Sequence, residues 1–200
     1  MTKKRLTREE SQQQTRRQLL NVAAKMFAER GFYESSVDRI AEAAGFSKGA
    51  VYSNFGSKED LFIEVFREHQ AKEVQNLEEI AQSCETMTEF VKLIEANHEQ
   101  GRIEEHHWSV LKLEFLLHAM RHEKAQESLA EILAENRQQM EKLLDYFYKK
   151  SGATEPLSVD KLAYLLLSVD IGVGIQAYIG GEDIPEGTLS EGLNRLLNVK

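Results

Sequence analysis

Apolar positions recur along this chain at helical spacing from end to end, and no run alternates in the two-residue rhythm of a strand. Leu19, Leu20, Ala23, Met26 and Phe27 mark a first helix over about Ser11–Arg30. Two short helices follow. The first carries Val37, Ile40, Ala41 and Ala44 and stops at Gly45; the second starts after Ser47 and turns Val51 and Phe55 inward. Gly31, Gly45 and Gly56 fall just past the ends of three successive helices, where a left-handed backbone terminates a helix. Ser47 is an N-cap candidate, Phe46 and Val51 can form a hydrophobic staple, and Ser57 with Asp60 opens the next helix.

That fourth helix begins near Lys58 and runs past Ile80 through Leu61, Phe62, Val65 and Phe66, long enough to leave the first unit and enter a second. A fifth is expected over Thr86–Glu99. Trp108–Met120 is apolar on nearly all sides and predicts a segment buried on nearly all sides. The polar stretch Arg121–Glu127 interrupts the pattern before a long helix to about Lys150. After a loop with Gly152 and Pro156, another apolar helix spans Val159–Ile179. Thr188 and Glu191 predict a capping box for a last short helix. The expected fold is all-α, with a three-helix unit over 1–57 that includes a flexible basic arm at 1–10, and a second helical unit over 58–200.

Charge refines this division. The net charge of −8 argues against nucleic acid, but residues 1–60 hold 11 basic against 8 acidic side chains and the remainder 14 against 25. A basic head of net +3 on an acidic body of net −11 suits a protein that offers one end to phosphates. Cys84 is alone, so no disulfide forms within the chain, in keeping with a reducing cytoplasm. MTKKRLTREE lacks an apolar signal segment. Leu162–Gly181 is apolar, but Asp170 would cost roughly 2.5–3.5 kcal/mol at a bilayer centre, so a helix at a subunit interface is expected there instead. Neither a phosphate-binding loop nor a nucleophile elbow is present, so no enzyme activity and no cofactor are expected.

Two short helices crossed steeply at a glycine turn have the helix-turn-helix shape that inserts its second helix into the DNA major groove. Ile40–Phe62, IAEAAGFSKGAVYSNFGSKEDLF, resembles the signature of the tetracycline-repressor (TetR) family of bacterial transcription regulators. The likeness lies in Ala41, Ala44-Gly45, Ser47, Gly49, Tyr52, Phe55, Ser57-Lys58-Glu59 and Leu61, with AERGF at 28–32 upstream. It implies a homodimer on a pseudo-palindromic operator, an all-helical second domain with a small-molecule pocket, an interface built from the last two helices, and most often repression relieved by ligand. An activator, or a helical adaptor without DNA binding, is the alternative. Asn54 departs from the histidine common at that position in the family.

The candidate DNA contacts are Ser36, Ser47, Lys48, Gly49, Tyr52, Ser53, Asn54 and Lys58, the last resembling the family's phosphate-clamping lysine. Lys3, Lys4, Arg5 and Arg8 form a basic arm able to enter a minor groove. Arg16 and Arg17 read as solvent-facing charges. Candidate pocket liners are Phe62, Phe66, Met87, Phe90, Trp108, Leu111, Phe115, Tyr146 and Tyr164, with Glu114 as partner for a cationic ligand, a histidine or a lysine; ordinary core packing is the alternative for each. The candidate dimer face is Leu162, Leu165, Leu166, Val169, Gly172, Val173 and Ile175, with Leu189, Leu193, Leu196 and Leu197 from the last helix. Glu114, His118 and His122 share a helix face at four-residue spacing, a pattern that can hold a metal but reads here as a hydrogen-bonded or solvated face.

Overall fold

A computed structural model describes residues 7–180 apart from Gly101, together with 185 and 187–199; side chains at 97–106, 177, 178 and 180 lie outside the description. The described residues form helices α1 (Arg8–Glu34), α2 (Val37–Ala44), α3 (Lys48–Phe55), α4 (Lys58–Ser83), α5 (Met87–Gln100), α6 (Arg102–Ala119), α7 (Glu123–Ser151), α8 (Val159–Gly180) and α9 (Thr188–Leu196), and no strand is found among them. The all-α expectation holds. No helix among the described residues is long and apolar enough to cross a membrane.

The chain packs as two compact units. The first combines the N-terminal residues up to His69 with Val110–Leu129; the second combines Gln70–Ser109 with Ala130 onward. The end of α6 and the start of α7 therefore pack with the N-terminal helices, a grouping that periodicity along the chain does not display. The polar stretch at 121–127 is largely the first turn of α7, where Ala125 is fully buried and its neighbours face solvent. The end of α6 is one-sided: Leu111, Phe115 and Ala119 are buried, but Leu117 and Met120 are 59% and 76% exposed. The expectation of burial on nearly all sides fails there, because only one face of the segment meets neighbouring helices.

Unit one is organised by a break in α1. Thr7 caps the helix with a full capping box, its side chain accepting from the Glu10 N–H while Glu10 answers the Thr7 N–H. The helix therefore begins earlier than the sequence pattern suggests, and Thr7–Glu10, the described part of the expected arm, is a cap and a first turn; the rest of that arm lies outside the described residues. At Gly31 the backbone turns to φ +78°, inside what is otherwise one continuous helix. The polar groups freed by the break are satisfied. The Phe32 N–H donates to Glu114 Oε2 at 2.6 Å, and the buried Ser35 hydroxyl donates to the Gly31 carbonyl at 2.7 Å.

Around this break lies an aromatic core. The Phe62 ring stands 5.1 Å from Phe27, 4.8 Å from Phe32 and 4.9 Å from Phe115, and Phe115 lies 5.1 Å from Phe66. Tilted and edge-on rings at such spacing add about 0.5–1.5 kcal/mol per pair beyond the area they bury.

Unit two has its own core, built on Met87, Phe90, Val91, Leu144, Phe147, Tyr148, Leu162, Ala163 and Leu197. The Tyr148 hydroxyl donates to the Leu197 carbonyl at 2.8 Å and ties the end of α9 to α7. Burial raises the Tyr148 pKa, so the phenol remains a donor at neutral pH. The capping box expected at Thr188 is not formed. Gly187, at φ +79°, is the N-cap, without a side-chain cap bond, and the Thr188 hydroxyl instead bonds the Pro185 carbonyl.

Two substitutions probe these features. In Gly31→Ala, the new Cβ would stand 2.5 Å from Glu114 Oε1 on a backbone that L-residues rarely adopt, so urea unfolding should show a loss of about 1–3 kcal/mol. Tyr148→Phe leaves the Leu197 carbonyl without its donor and should cost about 1–2 kcal/mol in the same assay.

Candidate nucleic-acid interface

The turn between α2 and α3 is fixed by local bonds. Ser36 caps α2 through its hydroxyl, which accepts from the Arg39 N–H at 3.3 Å. Gly45 adopts φ +75°, which lets its own N–H return to the end of α2 and the Phe46 N–H reach the Ala41 carbonyl at 2.8 Å. Ser47 then caps α3, accepting from Ala50 N–H at 3.2 Å. Gly56 closes α3 at φ +80°, and Ser57 opens α4, accepting from the Asp60 N–H and donating to the Asp60 carboxylate.

α3 buries only Val51 and Phe55. Its outer surface holds Ser47, Lys48, Gly49, Tyr52 and Ser53, all exposed. This is the short-side-chain face with one aromatic and one cation that an inserted helix would offer to base edges and phosphates. Gly49 meets nothing closer than Ser47 Oγ at 3.7 Å and lets another backbone approach. Tyr52 is 43% exposed. Lys48 Nζ pairs with Asp38 on α2 at 2.8 Å, and this hydrogen bond and charge raise the lysine pKa. Both groups are open to water, so the pair contributes little and exchanges readily for a phosphate.

Two expected contacts are placed differently. Asn54 is half-buried and turns its amide back to the Ala50 carbonyl at 2.7 Å, while its backbone oxygen accepts from the Arg16 guanidinium. Lys58 lies with its ammonium 4.5 Å from the centre of the Phe32 ring; burial lowers its pKa, opposed by Glu114 and Glu34. Arg16, expected at the solvent surface, instead bonds Asn54 and Glu64. Such partners lie 38 and 48 residues away in sequence, and no local signal points to them.

The expected pocket liners are drawn from both units. Phe62, Phe66, Leu111, Glu114 and Phe115 belong to unit one, and its aromatic core accounts for the three phenylalanines. Glu114, expected beside a cationic ligand, accepts from the backbone at the break in α1. Met87, Phe90, Trp108, Tyr146 and Tyr164 belong to unit two. Met87 and Phe90 are in its core, whereas Tyr146 and Tyr164 are 44% and 61% exposed. His118 is buried and shared between Tyr33 and Glu59, with His122 stacked on it at 4.0 Å. No group of three metal-capable side chains converges among the described residues.

The expected dimer face divides as well. Leu162 and Leu197 are buried in the core of unit two, and Leu166, Leu193 and Leu196 pack against it. Leu165 and Val169 are exposed, Val173, Ile175 and Leu189 are half-buried, and a Cβ added at Gly172 or Gly174 would meet open space.

Comparison with known proteins agrees with this geometry. Residues 19–65 match the family described as bacterial regulatory proteins, tetR family. The fatty acid metabolism regulator protein of Bacillus subtilis is 32% identical over 81 residues, which are 40% of this chain and 42% of that relative's length. Among solved structures, Salmonella enterica GusR aligns at a TM-score of 0.75 and 23% identity, covering 98% of this chain and 100% of its own. Bacillus subtilis FadR in complex with stearoyl-CoA aligns at 0.70 and 22% identity, covering 90% of this chain and 96% of its own. At such identities these two structures show a shared fold.

If α3 enters the groove as its exposed face suggests, Tyr52→Ala should weaken binding to a selected duplex by about 1–3 kcal/mol. Lys48→Ala should lower the slope of log affinity against log salt by about one. Fluorescence anisotropy across a salt series reads both.

Proposed function

We propose that this chain, whose residues 19–65 match the tetR family of bacterial regulatory proteins, is a homodimeric transcriptional repressor released from a pseudo-palindromic operator by a small molecule. The observation that carries this is the exposed face of α3, capped at Ser47 and held by Val51 and Phe55, with Lys48, Gly49, Tyr52 and Ser53 facing outward. Residues 1–57 act as the DNA-binding part and 58–200 as the effector and dimer part. The hydroxyls of Ser36 and Ser47 lie at helix starts, which attract phosphates. Lys58 joins them by leaving Phe32: burial disfavours its charge where it now lies, and a phosphate at the solvent surface would relieve that penalty. The protein works in the cytoplasm, beside the nucleoid.

Pairing of two copies through α8 is supported by the exposed Leu165 and Val169 and by the open space at Gly172 and Gly174. Glycine inside a helix costs about 1 kcal/mol against alanine, which close approach of a second backbone would offset. The FadR likeness makes a long acyl thioester the first effector to test.

Selection from a random pool of duplexes should enrich an inverted repeat whose half-sites lie about one helical turn apart or a multiple of it. Light scattering should give twice the 22.9 kDa chain mass, and stearoyl-CoA should release the selected duplex. A pool that stays unenriched at low salt would remove the DNA-binding proposal. Release by other small molecules but not by stearoyl-CoA would remove only the acyl effector.

A further inference from the structure

The guanidinium of Arg16 is bonded to a carbonyl at the end of α3. Its Nη1 donates to the Asn54 oxygen, its Nε donates to Glu64 Oε1 at 3.1 Å, and its Nη2 donates to Glu64 Oε2. Its carbon lies 4.3 Å from the centre of the Phe55 ring. A single side chain of α1 thus holds the last turn of α3 against α4.

Each contact has its own physical reason. The last carbonyls of a helix have no donor within it. A cation at that end also opposes the negative pole of the helix dipole. The carboxylate of Glu64 takes two parallel bonds from the guanidinium fork, which fixes its plane. That plane then lies over Phe55, whose ring is one of only two anchors of α3. A lysine, as a point charge on a flexible stem, cannot hold all three partners at once.

We infer that Arg16 is a positioning residue for the reading helix, setting the angle at which Lys48 and Tyr52 are presented while itself touching no nucleic acid. The inference rests on the assignment of α3 as the DNA-contacting helix. It differs from a phosphate contact because the Nε, Nη1 and Nη2 atoms of Arg16 each already have a protein acceptor.

The test uses the full chain, the duplex enriched by the wild-type protein and a scrambled duplex of the same length and composition. Arg16→Ala should weaken binding to the enriched duplex by about tenfold to a hundredfold. Affinity for scrambled DNA and the salt slope should stay unchanged. Arg16→Lys should lose nearly as much although its charge is kept, and Glu64→Gln, which leaves Arg16 in place, should lose less in the same sense. Equal loss on both duplexes with the slope down by one, restored by lysine, would make Arg16 a phosphate contact and overturn the inference.

Hydrogen exchange on the free protein supplies a readout without DNA. Amides from Val51 to Ser57 should exchange at least about tenfold faster in Arg16→Ala than in wild type, with α2 unchanged. If Arg16→Ala does not fold, Glu64→Gln serves for the same comparison. Unchanged exchange in α3 overturns the inference whatever the DNA result. A wild-type chain that enriches no duplex overturns the DNA assignment instead.

Discussion

Had α1 run straight through Gly31, Phe27 and Phe32 would point about 140° apart around the helix, and one of them would leave the core. The left-handed backbone at Gly31 turns the chain so that both rings meet Phe62. The approach to α2 follows from that turn. It delivers Ser35 to a buried position, where its hydroxyl closes the break, and Ser36 to the start of α2. Glycine is needed for its φ, and a side chain there would also displace the Glu114 carboxylate from its place.

The same break explains why Val110–Leu129 belongs with the N-terminal helices. A broken helix exposes a backbone N–H, and an unpaired one inside the protein costs about 1–3 kcal/mol. Glu114 of α6 supplies the acceptor, and Phe115, one residue on, enters the aromatic core beside Phe62 and Phe66. Polar closure and apolar packing thus act at adjacent positions of one helix. Lys58 completes the arrangement, lying over Phe32 with the carboxylates of Glu114 and Glu34 as counter-charges.

The parts legible in the sequence are those that short-range chemistry decides. Ser36, Ser47, Gly45 and Gly56 do what their types and spacing imply, because a cap is settled within four residues of itself. The helix order followed from periodicity in the same way. What stayed hidden depends on partners far along the chain: Glu114 bonds Phe32 from 82 residues away, and Arg16 reaches Asn54 from 38. An isolated arginine among polar neighbours carries no mark of such a partner. Apolar stripes mislead for a related reason. Phe62, Phe66 and Phe115 fit a ligand pocket and a core equally well by spacing, and no local pattern shows that their rings pack against one another. Leu162 and Leu197 were likewise indistinguishable in sequence from the exposed Leu165 and Val169.

The shortness of α3 has a consequence for how it is held. Eight residues form no stable helix alone, since nucleation is costly and propagation returns little over two turns. A longer or more apolar helix would gain stability from burial, but here the outward face is left to small and polar side chains, and only Val51 and Phe55 are buried. The helix must therefore draw its rigidity from its ends. Ser47 satisfies the first turn, Gly56 and Arg16 satisfy the last, and Ser57 begins the next helix without slack. A surface free to be read and a helix stabilised from its termini are two sides of one constraint, because side chains used for anchoring are unavailable for contact.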